Sequence, residues 1–310
     1  MMDRRAFFVA TGVAVGSLAL PSIATAGQAP SKVYALPEPT LFPEGIGADQ
    51  RTGWVYVSSQ ATGAIVRVNP RNGRSEQFLA PGTDGRVRGN GVKVDGHGVW
   101  IAAGQGGATY LYDTKHARLI QKWALPATGF PNDLVVTSRG TFVTDSWDPV
   151  LWRVQLGVRE AEPWLDLTTT PIVYTPGAVN LNGIVATPGA RYLIVVHSPQ
   201  GTLWRIDTWT KKVVQVDLGT ETIVAADGLY LKGRTLWAAQ NRFGVIAKLR
   251  FSEDYTSAKV LSRTGDATFR YPTTIDVLDG RMLAVNSQFD KRGAGLPPEL
   301  PFTISSIAIP

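Results

Sequence analysis

The sequence predicts an all-β chain folded as a six-bladed β-propeller with four-stranded blades, on three observations. Six segments of related pattern recur at intervals of 42 to 50 residues. Each holds short runs rich in Val, Ile, Trp and Tyr, separated by Gly-containing turns. No long apolar period of 3.6 residues interrupts them. Short strands at such spacing signal an all-β architecture, and four strands per repeat of this length make a propeller blade.

The elements follow in chain order. The amino terminus, "MMDRRAFFVATGVAVGSLALPSIATAGQ", has paired arginines, an apolar stretch from Ala6 to Leu20 and the small-x-small site Ala24-Thr25-Ala26. This is the layout of a cleaved export signal over residues 1–26, of the twin-arginine type because Phe7-Phe8 follows Arg4-Arg5. The stretch is too short and too broken by Gly and Ser for a stable membrane span. The expected partner is the twin-arginine export machinery, and the expected location is periplasmic or extracellular. Residues 27–310 then form a single propeller domain.

"SKVYALPEP" (31–39) is a spare strand before the first repeat, and "PFTISSIAI" (301–309) supplies only about one strand at the other end. The amino-terminal strand is therefore expected to join the last blade and close the ring, since an open edge is a pairing liability. Between them the repeats open at Glu44, Asn90, Asn132, Asn182, Asp227 and Thr273. Third strands such as "AIVRV", "VLWRV" and "TLWRI" alternate in the manner of half-buried β-structure. The tryptophans at 54, 100, 152, 204 and 237 recur at equivalent strand positions, which assigns them to packing between blades. "TTTPIVYTPGAV" (168–179) is an insert before the fourth repeat, the kind of long loop that carries binding specificity.

Composition narrows the function. Of 310 residues, 44% are hydrophobic and 18% charged, enough apolar mass for a full core. The net charge of +6 is mild, and its densest clusters, Arg86/Arg88 and Lys211/Lys212, lack interleaved aromatics. No nucleic-acid partner is expected. Cysteine is absent, so disulfides and thiolate metal sites are excluded. "GQGGAT" (104–109) lies between strands rather than before a helix, so it is no phosphate loop. No GxSxG nucleophile elbow occurs.

The first strand of a blade lines the central channel, so its opening residue sits at the channel mouth. The six openers all bear oxygen, and two carry charge. Carboxylates that converge without counter-charge repel one another. A hard cation resolves this, calcium above all, because it takes six to eight oxygen ligands. Without His or Cys in the set, zinc and copper are disfavoured. An isolated Asn-Gly pair, as in "LNGIVAT" (181–187), is ordinary turn chemistry with φ > 0; six polar openers in register favour a site. The ends of the second strands add Ser58, Ser59, Asp145, His197, Gln240, Asn241 and Asn286 as an expected outer ring, with Thr274 beside Thr273. His197 reads either as a general base or as a residue hydrogen-bonded in a blade corner. Asp145 reads either as a partner behind the ligands or as a pocket wall. His97 falls on a turn facing away and His116 follows an outer strand, so both read as structural or exposed.

"FPEG", "PND", "NG" before an apolar strand, and "ADG" before a Trp-containing strand resemble the senescence-marker-protein/gluconolactonase (regucalcin-like) family. The resemblance spans essentially residues 27–310. It implies a six-bladed propeller and metal-dependent hydrolysis of a small lactone or ester. It also implies metal ligation by Glu44, Asn132, Asn182 and Asp227, with Asp227 activating water. Calcium is the first choice of cation, with zinc, magnesium and manganese as alternatives. The family's sugar-binding Arg, two residues before the Asn of the "ND" motif, is here Phe130, which cannot donate hydrogen bonds to a polyhydroxylated ring. With Asn90, Phe130, Asp145, His197, Asn241, Thr273, Thr274 and Asn286 as pocket residues, three functions stand. They are a metal-dependent lactonase or esterase, a non-catalytic binding propeller with a structural calcium, and a propeller lyase.

Overall fold

A computed structural model describes residues 30–310, and the export signal expected over residues 1–26 lies outside them. Six antiparallel four-stranded sheets are arranged as blades. Their inner strands are Pro43–Ala48, Val92–Val94, Pro131–Thr137, Leu181–Ala186, Ala226–Lys232 and Pro272–Leu278. Inner strands of successive blades touch all the way round, the sixth reaching back to the first. In the first five blades the strands run outward in chain order. In the sixth, Lys32–Ala35 is the outermost strand, paired with Thr303–Ala308 in the register Lys32 to Ser306.

A single sheet has two faces and no way to bury both alone. The stacking of blades solves this, and the core is divided accordingly into six apolar clusters, one per seam. Between the fourth and fifth blades, for example, Ile194 and Val196 meet Leu229 and Leu236, all essentially inaccessible to water. Each such side chain contributes roughly 1.5–3 kcal/mol relative to exposure. The recurrent tryptophans lie in these seams, as their strand positions require. Trp100 stacks on Trp123 with centroids 5.5 Å apart, and Arg67 covers the half-buried face of Trp54. Among the described residues the one α-helix is Phe289–Gly293, inserted in the sixth blade. No described helix is long and apolar enough to cross a membrane.

Candidate metal centre in the channel mouth

The inner strands do not run straight. In the fourth blade Leu181 pairs with His197 and Ile184 with Val195, so Asn182 and Gly183 oppose Val196 alone. The same two-against-one irregularity occurs at Glu44-Gly45, Asn132-Asp133, Asp227-Gly228 and Thr273-Thr274. In the second blade Asn90-Gly91 precedes the short strand that starts at Val92. A β-bulge breaks the alternation of side chains and re-aims one of them. Here it turns Glu44, Asn132, Asn182 and Asp227 toward the channel mouth, while Thr273 stays in the seam.

This changes the meaning of the Asn-Gly and Asp-Gly pairs. Gly45, Gly91, Gly183 and Gly228 are not among the positive-φ residues, so these are not the turns that isolated pairs suggest. Glycine is required by proximity instead. A Cβ on Gly183 would lie 2.3 Å from the Asp227 carbonyl oxygen, and one on Gly45 would lie 2.1 Å from that of Asn90. Glycine inside a strand commonly marks such a close backbone approach. Hydrogen bonds from one blade to the next hold the openers. Ser58 Oγ donates to the Asn90 carbonyl, Gly91 N to that of Asn132 (2.7 Å), Thr144 Oγ1 to that of Asn182 (2.6 Å) and Thr273 Oγ1 to that of Glu44 (2.9 Å).

The resulting cavity encloses about 550 Å³, with Glu44, Asn90, Asn132, Asn182, Asp227 and Asn241 in its lining. Four side-chain oxygens there are buried without a hydrogen-bond partner: Glu44 Oε2, Asn90 Oδ1, Asn132 Oδ1 and Asp227 Oδ1. Their orientation is imposed by neighbours. Ser146 Oγ gives its only proton to the Leu181 carbonyl at 2.6 Å, so it must accept from Asn132 Nδ2 at 2.8 Å. That leaves Asn132 Oδ1 as the free end. Asn241 Nδ2 likewise holds Asp227 Oδ2 at 2.8 Å, which frees Oδ1.

Burial dominates the electrostatics. It raises the Asp227 carboxyl to about 7, opposed by the hydrogen bond from Asn241 and the neighbouring Asn182 amide and assisted by the charge of Asp133. Glu44 is pushed well up by burial and then by the charges of Asp227 and Asp133. One layer deeper, burial raises Asp133 and Asp276 as well, and Lys93 opposes the rise in both. The Lys93 ammonium stands 3.8 Å from Asp133. Unpaired buried oxygens next to suppressed carboxylate ionisation fit an oxygen-seeking hard cation. Among the described residues no three His, Cys, Asp or Glu side chains group to hold a metal. The donor set consists of two carboxylates supplemented by amides, which suits calcium better than zinc.

Five residues expected in the pocket do not line it: Asp145, His197, Thr273, Thr274 and Asn286. Asp145 stands opposite Pro131, His197 opposite Leu181 and Asn286 opposite Pro272, each facing the residue before the bulge. Asp145 accepts from the backbone N–H groups of Phe130, Trp147 and Asp148, and so shapes the loop that presents Phe130. His197 is fully buried with its ring edge-on to Tyr174, and burial lowers its pKa, keeping the imidazole neutral. Asn286 bonds Arg270 N, Thr303 and Ser305 inside the sixth blade. Thr273 and Thr274 belong to the seams, Thr274 packing where Gly228 leaves room.

Of the expected outer ring, Asn241 lines the cavity. The other two residues that line it directly after a second strand, Gln60 and Ser198, lie one position beyond the expected Ser59 and His197. Aligning the repeats one residue further on would have found Gln60 and Ser198. Arg242, Tyr271 and Phe289 also line it, and they carry no repeat signal. The insert contributes Gly177, Ala178 and Val179 to the wall.

No protein-family model matches this sequence, and no curated protein does. Solved structures do match. The major Malassezia sympodialis allergen Mala s 1 is 14% identical over 89% of this chain and 95% of its own, with a TM-score of 0.68. Regucalcin from Agrobacterium tumefaciens, described as a calcium-binding protein, is 15% identical over 88% and 93%, with a TM-score of 0.63. A gluconolactonase from Xanthomonas campestris is 13% identical over 90% of each chain, also at 0.63. A streptogramin B lyase is 14% identical over 90% and 97%, at 0.59. At such identities the likeness is one of fold: this chain is a six-bladed propeller of the architecture that regucalcin and gluconolactonase share.

Proposed function

We propose that the protein is an exported, metal-dependent hydrolase of a lactone or ester, working at the channel mouth. The observation that carries this reading is the set of four partnerless buried oxygens from Glu44, Asn90, Asn132 and Asp227 around one cavity. Glu44, Asn132, Asn182 and Asp227 would hold a divalent cation, calcium first, with the Asn90 oxygen alongside. When bound, such a cation polarises a carbonyl and acidifies water. The chain's own part is proton transfer and substrate placement. Asp227 is the base, its carboxylate held in place through Oδ2 by Asn241. None of the three histidines lines the cavity, so this duty falls to a carboxylate. Phe130, Val179, Pro199 and Val224 make one wall apolar. That wall favours a substrate with an apolar flank over a polyhydroxylated ring. Export to the periplasm or the extracellular space rests on the pattern of residues 1–26.

Metal analysis of the purified protein, combined with a panel of lactones and esters, tests the reading. Cation-dependent turnover should appear and fall at least about a hundredfold in Asp227→Asn, with little change in the melting temperature at saturating metal. A panel with no cation-dependent turnover would favour a non-catalytic binding propeller instead.

A further inference from the structure

Beside the acidic floor of the cavity stands an unneutralised basic rim. Gln60 lines the cavity, and two guanidinium groups converge on it. Arg88 Nη1 donates to its main-chain carbonyl at 3.3 Å, and Arg292 Nη1 donates to its side-chain oxygen. Both arginines are half-buried. Arg292 also lies over the Phe42 ring, 5.2 Å from its centroid. Burial, and then the charge of Arg88, make Arg292 less basic than usual. A third guanidinium, Arg242, lines the cavity near the Tyr271 hydroxyl. Among the described residues none of the three forms an ion pair with a carboxylate. The nearby Glu299 is already engaged by Lys291 and Arg270, and Asp290 on the same short helix pairs with no cation.

Two like charges held together and partly out of water destabilise each other unless an opposite charge joins them. Guanidinium groups are the usual partners of carboxylate, phosphate and sulfate. We infer that Arg88 and Arg292, both bonded to the cavity-lining Gln60, form an oxyanion subsite that receives an acidic group of the ligand bound in the channel cavity. Under the hydrolase reading, on which this placement rests, the substrate is an ester or lactone bearing a carboxylate, phosphate or sulfate away from the bond that is cleaved.

Binding without turnover tests it. Calorimetry of the metal-free full chain with inorganic phosphate and with sulfate should show saturable binding that weakens with salt. Arg88→Gln and Arg292→Gln should each weaken it about tenfold or more, whereas Arg250→Gln, on an exposed arginine bonded to Thr235, should not. In anion-free buffer Arg88→Gln should melt no lower than the parent, because it relieves repulsion. If Arg292→Gln fails to fold through loss of its Gln60 and Phe42 contacts, Arg88→Gln carries the test. Monomethyl succinate should likewise outcompete dimethyl succinate. Absent phosphate and sulfate binding, or binding that survives in both variants, overturns the subsite. Arginine-dependent anion binding with no ester turnover keeps the subsite and sinks the hydrolase. Turnover that is indifferent to substrate charge does the reverse.

Discussion

Gly183→Ala probes the bulge that aims Asn182. The added Cβ would sit 2.3 Å from the Asp227 carbonyl oxygen and 3.0 Å from Leu229 N, the first about 1 Å short of ordinary contact. The obstacle is the main chain of the next blade, which cannot swing aside as a flexible side chain would. Overpacking typically costs 1–3 kcal/mol, and main-chain obstruction belongs at the top of that range, about 3 kcal/mol. The gain from restricting the unfolded chain, about 0.4–1 kcal/mol, offsets only part of this. For a domain of this size the melting temperature should drop by roughly 6 °C. Because the clash falls on the carbonyl of Asp227, cation affinity should fall in the same variant. Gly96→Ala is the control, since a Cβ there meets nothing within 4 Å and its φ is not positive; it should leave the midpoint unchanged or raise it by about 1–3 °C. Differential scanning calorimetry with and without calcium reads both effects. A Gly183→Ala protein that melts and binds like the parent would mean the seam has slack, and the close-approach explanation would be wrong.

Other outcomes follow from the same site. Ser146→Ala frees the Asn132 amide to rotate, and cation affinity measured by calorimetry should fall about tenfold or more, as when outer hydrogen-bond partners of metal ligands are removed. In metal-free protein the Asp227 carboxyl, raised to about 7, favours folding when protonated. Its contribution is fully present below about pH 4 and is lost as pH rises to about 7, by up to about 4 kcal/mol. Stabilisation by added calcium should therefore grow over that interval; denaturant titrations at pH 5 and pH 8 check the sign. Lys93→Met removes the cation that faces Asp133 and opposes the rise of Asp276, and should cost about 3 kcal/mol at neutral pH. Much of that cost should vanish at pH 4, where the carboxylates take up protons.

The blade count was legible because propeller repeats write themselves into the chain as strands, turns and tryptophans at fixed intervals. The openers were legible for the same reason, since a residue recurring once per blade must recur at one height of the channel. In the outer ring Asn241 was legible, but Ser59 and His197 stand one position short of the lining residues Gln60 and Ser198, the smallest error a β-strand admits and one that sends a side chain to another face. Asp145, His197 and Asn286 look like pocket residues in sequence, yet they pair with the residue ahead of the bulge and turn into the sheet. A bulge has no fixed sequence signature, so the pattern could not reveal that shift. Arg242, Tyr271 and Phe289 were invisible because connections between blades are not periodic.

Local chemistry and periodicity, read from the sequence alone, determined the all-β class, the six blades, the tryptophan seams and the identity of Glu44, Asn90, Asn132, Asn182 and Asp227 as oxygen-bearing openers. Tertiary structure decided what those residues do. Packing of one blade against the next makes Gly183 obligatory and raises the buried carboxyls, while the bulged pairing of the first and second strands within a blade brings Ser146 onto Asn132 and Asn241 onto Asp227 and so orients their oxygens. These effects depend on distances between atoms 14 residues apart in the chain, for Asn132 and Ser146 or Asp227 and Asn241, or 44 apart, for Gly183 and Asp227, and on exclusion of water by the closed ring, and none of these quantities exists until the strands and blades are assembled.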